Sequence, residues 1–231
     1  MKIISKPSPN FDERHGVKPE FLIFHYTGME TAKTAIDRLT NQESKVSSHY
    51  TIDEDGTAYQ HVDEEKRAWH AGVSAWQNVQ NINSYSVGIE LVNKGHEFGY
   101  HDFPSSQLDS LKELSLTIMK RHDILAENIL GHSDIAPDRK QDPGERFPWQ
   151  EFAKKGIGIW PSVSDEDMVK ATSIDVFQAL KDFGYYAQNQ QNALIAFQRH
   201  FVPEVFDQQI VGQITSLTKA RIYALLAGHL I

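Results

Sequence analysis

The sequence predicts an α/β layered domain followed by a small all-helical one, on three observations. Short β-type runs alternate with helical patterns up to about residue 159. A stretch of glycine, proline and acidic residues, "GIGIWPSVSDED", then interrupts the chain as a candidate linker. Beyond it only helical periodicity recurs. The expected division is 1–159 and 160–231.

Each element follows from its own pattern. "FLIFHYT" (21–27) reads as a buried strand ending at a polar mouth. A helix is expected from Thr31 to about Leu39. "SSHYTID", "EDGT" and "AYQHVD" read as strand, turn and strand, with Asp55-Gly56 supplying the turn. "SYSVGIELVN" (84–93) is a further strand, apolar at Val87, Ile89 and Leu91. From Pro104 to His122 the residues Leu108, Leu111, Leu114, Ile118 and Met119 recur at helical spacing, with Ser105 or Ser106 available as a cap. "AENILGH" gives a short strand and "FPWQEFAKKG" a brief helix. In the C-terminal part Ser173 is placed to cap the helix "IDVFQALKDF", which Gly184 stops. "NALIAFQRHF" and "SLTKARIYALLAGHL" complete a three-helix domain of about 70 residues, near the lower limit for independent folding.

Composition narrows the chemistry. The 231 residues carry a net charge of −8, the wrong sign for a protein that neutralises phosphates, so nucleic acid is not the expected partner. The absence of cysteine removes disulfides, thiolate metal sites and a Cys nucleophile. A metal would fall to carboxylates and to the 11 histidines. No run approaches the ~18 apolar residues of a transmembrane helix. "MKIISKPSPNFDERHG" has no apolar signal segment, which implies a cytoplasmic protein if Met1 is the native start.

His25 at a strand end and His132 after Gly131 are each ordinary alone. Together with an aspartate they form the three-ligand set of a catalytic zinc site, which keeps a fourth position open. The loop "GHSDIAPDRKQDPG" offers Asp134, Asp138 and Asp142 as the acid. In extended chain His132 pairs with Asp134, and Lys140 with Asp142. Pro143 keeps Asp142 extended, so spacing leans to Asp142 without deciding. Glu90 lies among apolar neighbours on a strand, where a carboxylate has either a partner or a task.

In this order "FHYTG", "VSSHYTID", "AWHAG", "SVGIELVN", "GHSDIAP" and "RKQDPGERFPW" resemble the zinc-dependent N-acetylmuramoyl-L-alanine amidases of the amidase type-2 family, in its AmiD- and AmpD-like branch. The resemblance implies a mixed central sheet flanked by helices. It implies zinc held by His25, His132 and Asp142, Glu90 as catalytic acid/base and Lys140 as oxyanion stabiliser. It offers His49, Trp69 and His70 as substrate-binding residues. Ser48 stands where other branches carry tyrosine, and Asp142 where some carry cysteine. The implied reaction is hydrolysis of the bond between the lactyl group of N-acetylmuramic acid and L-alanine, with peptidoglycan or muropeptides as partner and the cell envelope as location. The alternatives are a muropeptide-binding protein without catalysis and a cytoplasmic recycling amidase restricted to anhydro-muropeptides. The C-terminal helices resemble a peptidoglycan-binding domain, with Gln208 where glycine is usual; the alternative is a bundle buttressing the catalytic domain.

Overall fold

The computed structural model describes residues 2–231. The strands are β1 (Ile3–Ser5), β2 (Phe11–Glu13), β3 (Phe21–Tyr26), β4 (Tyr50–Ile52), β5 (Ala58–Gln60), β6 (Lys66–Ala68), β7 (Ala75–Trp76), β8 (Val79–Gln80), β9 (Ser86–Leu91) and β10 (Ile129–Gly131). Phe21, Leu22, Ile23 and Phe24 are all buried, so β3 shows no alternation. That is the pattern of a strand covered on both faces, and it sits inside a six-stranded sheet of order β1-β5-β4-β9-β3-β10. Only the β4–β5 pairing is antiparallel, which makes the sheet mixed as expected.

Register decides which side chains meet. His25 of β3 lies directly beside Glu90 of β9, and Glu90 beside Thr51 of β4. Gly131 of β10 pairs with Phe24, so the chain leaves β10 at the level of His25. In open α/β sheets the crevice at the carboxyl ends of parallel strands is where sites assemble. Here β3, β9 and β10 all end toward the same crevice.

The first predicted helix spans Ala32–Thr40 behind a Thr31–Thr34 capping box. The long helix is Ser105–His122, burying Leu111, Leu114 and Ile118. Its cap differs from expectation. Pro104 is the N-cap, no side chain caps it, and Ser106 donates instead to the Glu54 carbonyl.

The C-terminal part contains the three expected helices, Val176–Phe183, Gln190–Phe201 and Ser216–Leu226. Asp175 rather than Ser173 caps the first of them, its carboxylate accepting from Phe177 N and Gln178 N. Two shorter helices, Asp165–Lys170 and Glu204–Asp207, are additional. Asp165–Lys170 starts inside the expected linker, because Ser164 and Asp167 form a capping box. The rest of that stretch is no free connector either: Ile157 and Trp160 are buried. One continuous hydrophobic cluster runs from the sheet into these helices, from Leu22 and Ile89 to Phe197 and Leu225. Gly184 is required where the two parts touch. Its φ is +145°, and a Cβ there would lie 2.9 Å from Trp76 Cε2. Trp76 packs edge-on against Phe183 and Tyr185. No helix among the described residues is long and apolar enough to cross a membrane.

Candidate active site

His25, His132 and Asp142 converge at the mouth of the crevice, all buried. His25 Nδ1 lies 2.9 Å from His132 Nδ1, and each is 3.0 Å from Asp142 Oδ2. The surrounding hydrogen bonds determine which ring nitrogens carry protons. Ser86 Oγ donates to the Ile82 carbonyl at 2.7 Å, so it is free only to accept from His70 Nε2 at 3.1 Å. His70 Nδ1 is then the acceptor for His25 Nε2 at 3.0 Å, leaving His25 Nδ1 bare. His132 Nε2 donates to the Ala71 carbonyl at 3.1 Å, which turns its Nδ1 toward the same point. Burial, followed by the charge of His132, lowers the His25 pKa to about 4, so its ring is neutral at ordinary pH. Burial works to raise the Asp142 pKa, but His132 and His25 outweigh it and hold the carboxyl ionised.

His25 Nδ1, His132 Nδ1 and Asp142 Oδ2 thus point at one another within 2.9–3.0 Å. A cluster of ring nitrogens and carboxylate this close and this buried is met by a shared proton or by a cation among them. Two imidazoles and one carboxylate are the donor set that suits zinc, with room for a fourth ligand. The residues present therefore fit a metal.

Spacing left the aspartate open where the family resemblance implied Asp142, and local geometry separates the candidates. His132–Ile135 is a turn of helix, so the alternation that would pair His132 with Asp134 does not apply. Asp134 Oδ2 turns back to accept from Gly131 N at 2.7 Å. Asp138 is exposed and accepts from Gln188 N, Asn189 N and Asn192. Asp142 alone joins the two histidines.

Glu90 faces the same crevice from β9. Burial, reinforced by Asp142, raises its pKa well above the usual carboxylate range, while Lys140 opposes the shift. Its Oε2 is buried without a hydrogen-bond partner. Such an atom is costly and marks a group kept for use. The crevice opens as a cleft of about 720 Å³ whose lining includes Tyr26, Trp69, Glu90, Arg139, Lys140 and Asp142. The Lys140 side chain makes no hydrogen bond or ion pair among the described residues and is half-buried.

The three residues expected to contact substrate divide. Trp69 lines the cleft, its Nε1 donating to Asp12 at 2.8 Å. His49 is not among the residues that line the cleft. It is fully buried, accepts from Gly88 N at 3.0 Å through Nδ1, and donates to the Lys66 carbonyl at 3.1 Å through Nε2. His70 borders the cleft, but both its nitrogens are taken up by His25 and Ser86. It stands behind a ligand. Sequence reasoning also missed Ser86, whose only signal was a hydroxyl at the head of an otherwise apolar strand.

Two buried histidines and an aspartate that could hold a metal, with a protonatable carboxyl and a lysine over one cleft, are the arrangement of a hydrolase site. The family profile for N-acetylmuramoyl-L-alanine amidase matches residues 15–145, and the chain belongs to that family. It is 32% identical over 249 residues to the N-acetylmuramoyl-L-alanine amidase AmiD of Escherichia coli, covering 94% of this chain and 89% of AmiD. The structure of AmiD in complex with anhydro-N-acetylmuramic acid-L-Ala-D-γ-Glu-L-Lys superposes with a TM-score of 0.80 at 30% identity, over 95% of this chain and 98% of that one. AmpDh3 of Pseudomonas aeruginosa, in complex with anhydromuramic pentapeptide, gives a TM-score of 0.80 at 32% identity, over 97% and 96% of the chains. The 1,6-anhydro-N-acetylmuramyl-L-alanine amidase AmpD of Salmonella typhimurium is 35% identical over 164 residues, 63% of this chain and 86% of AmpD.

Proposed function

We propose that the chain is a zinc-dependent amidase that cleaves the bond between the lactyl group of N-acetylmuramic acid and L-alanine in muropeptides or peptidoglycan. The single observation that carries the reading is the buried triangle of His25 Nδ1, His132 Nδ1 and Asp142 Oδ2, with Glu90 poised over the same cleft. Zinc held by these three residues supplies Lewis acidity, lowering the pKa of a ligated water and polarising a carbonyl oxygen.

The rest is done by the chain. Glu90 accepts a proton from the attacking water as its oxygen bonds to the lactyl carbonyl carbon. The same carboxyl then donates that proton to the nitrogen of L-alanine as the C–N bond breaks. The remaining water proton passes from the new carboxyl to the amine, so the products are the lactyl carboxylate and the α-ammonium of L-alanine. The raised Glu90 pKa suits a group that must take up and release a proton in one cycle. Lys140 places a cation beside the carbonyl oxygen where negative charge develops. Trp69 offers a ring face in the cleft wall suited to a sugar or peptide plane. Relatives solved with anhydro-muropeptides align over nearly the whole chain, which supports this substrate class.

Glu90→Gln tests the assignment. It is expected to bind zinc like the unaltered chain while turnover falls by ~10²–10⁴. Near-normal turnover in the zinc-loaded variant would remove Glu90 from the mechanism.

A further inference from the structure

Asp134 sits two positions beyond a metal ligand, yet it is wholly buried and takes no part in the metal triangle. Its two carboxylate oxygens accept three hydrogen bonds. One comes from Gly131 N at 2.7 Å, the backbone directly before His132. The other two come from the C-terminal part: Tyr185 Oη, just past the helix Val176–Phe183, at 2.7 Å, and His200 Nδ1, within Gln190–Phe201, at 2.7 Å. Both donors are themselves buried. The His200 ring is sandwiched between Trp149 and Phe201, with ring centroids 3.8 Å from each. Trp149 in turn lies against Gly131, where a Cβ would come 3.3 Å from its ring. A second tie runs from Arg199, the neighbour of His200, to Glu145 at 3.3 Å on the far side of Asp142.

The loop that supplies two of the three metal ligands is therefore clamped from outside the sheet domain. The turn His132–Ile135 is brief, and Ser133 N donates to Asp142 O at 2.9 Å, so a shift of the turn carries both ligands with it. A buried carboxylate needs donors on every side, and leaving one lone pair unmet is expensive. Tyr185 and His200 meet that need only while the helices Val176–Phe183 and Gln190–Phe201 stay docked on the sheet domain.

We infer that Tyr185 and His200 are positioning residues for the metal site, acting through Asp134 on Gly131 and His132. The C-terminal helices then form part of the frame of the active site, whatever else they bind. Curated relatives such as AmpD align over only 63% of this chain, so this clamp belongs to the longer architecture. The inference rests on the zinc reading of His25, His132 and Asp142, and the test separates the two.

The experiment measures zinc affinity of the full-length protein by competition with a chromophoric chelator at constant pH, with circular dichroism and thermal unfolding on each variant. Tyr185→Phe and His200→Leu are expected to bind zinc ~10–100-fold more weakly, the usual effect of losing an outer partner of a metal ligand. His200→Asn, which keeps an N–H donor near the Nδ1 position, should recover most of that loss. Phe183→Leu loosens the same interface against Trp76 without touching Asp134, and its zinc affinity should match the unaltered chain. Unaltered affinity in folded Tyr185→Phe and His200→Leu would overturn the clamp. Equal weakening in Phe183→Leu would also overturn it, reducing the effect to general loosening. Should His200→Leu fail to fold, the milder Tyr185→Phe decides by the same criterion. Absence of zinc binding by the unaltered chain would instead refute the metal reading itself.

Discussion

Glu90 is where stability and activity pull in opposite directions. Its folded-state pKa lies above the unfolded value of about 4.3. Between the two the native state binds the extra proton, so stability falls as pH rises through that window. Metal-free Glu90→Gln should therefore melt above the unaltered metal-free protein at pH 8, by about 1 kcal/mol or more. The advantage should fade as pH falls toward 4, where the carboxyl is protonated in both states. Equal melting at pH 8 would mean that the carboxyl is solvated. Lys140→Met should lower kcat by ~10²–10³ with little change in zinc affinity, read by steady-state kinetics on metal-quantified protein. His25, His132 and Glu90 were legible in the sequence because each is polar at the end of, or within, an apolar run. Asp142 was not separable from Asp134 by spacing, because a helical turn at His132 replaces the extended chain that alternation assumes. The places of His49, buried outside the cleft lining, and of His70, at its border, were not legible for a related reason: motif membership does not say whether a ring faces the cleft or the strand behind it.

At the scale of elements, β9 does two jobs. It carries Glu90 forward into the cleft, and at Ser86 it anchors the relay through His70 to His25. Gly88 between them is what lets the His70 ring lie against the strand, since a Cβ there would stand 2.5 Å from His70 Cγ. Gly88→Ala should displace His70, lower stability by ~1–3 kcal/mol and weaken zinc binding, measured by denaturant unfolding and chelator competition. An alanine variant with unchanged zinc affinity would show that the relay does not orient His25. The sequence announced β3, β9 and β10 through their apolar runs. It was silent on β2 and β6, which are three residues each and pair only with one another. β2 is exposed throughout and β6 buries only Ala68, so burial left no pattern to read.

For the whole molecule, the hydrophobic cluster crosses the expected boundary near residue 159 without a break. The sequence saw glycines, proline and acids there and read a linker, because the partners of Trp160 lie far along the chain, at Phe201 and Arg221. Unfolding should accordingly be a single cooperative transition, with calorimetric and van't Hoff enthalpies equal. Two separated transitions would mean that the parts are independent. Saturating zinc should raise the midpoint by several degrees, since occupancy at 100 times Kd adds ~2.7 kcal/mol. A chelator should reverse that gain.

The most direct test of the account is mass spectrometry of a muropeptide digest by metal-quantified protein, with and without chelator. The account predicts one zinc per chain, products split between the lactyl group and L-alanine, and loss of turnover on chelation that added zinc restores. Muropeptide left uncut by zinc-loaded protein, or cleavage that persists after the metal is removed, would contradict it.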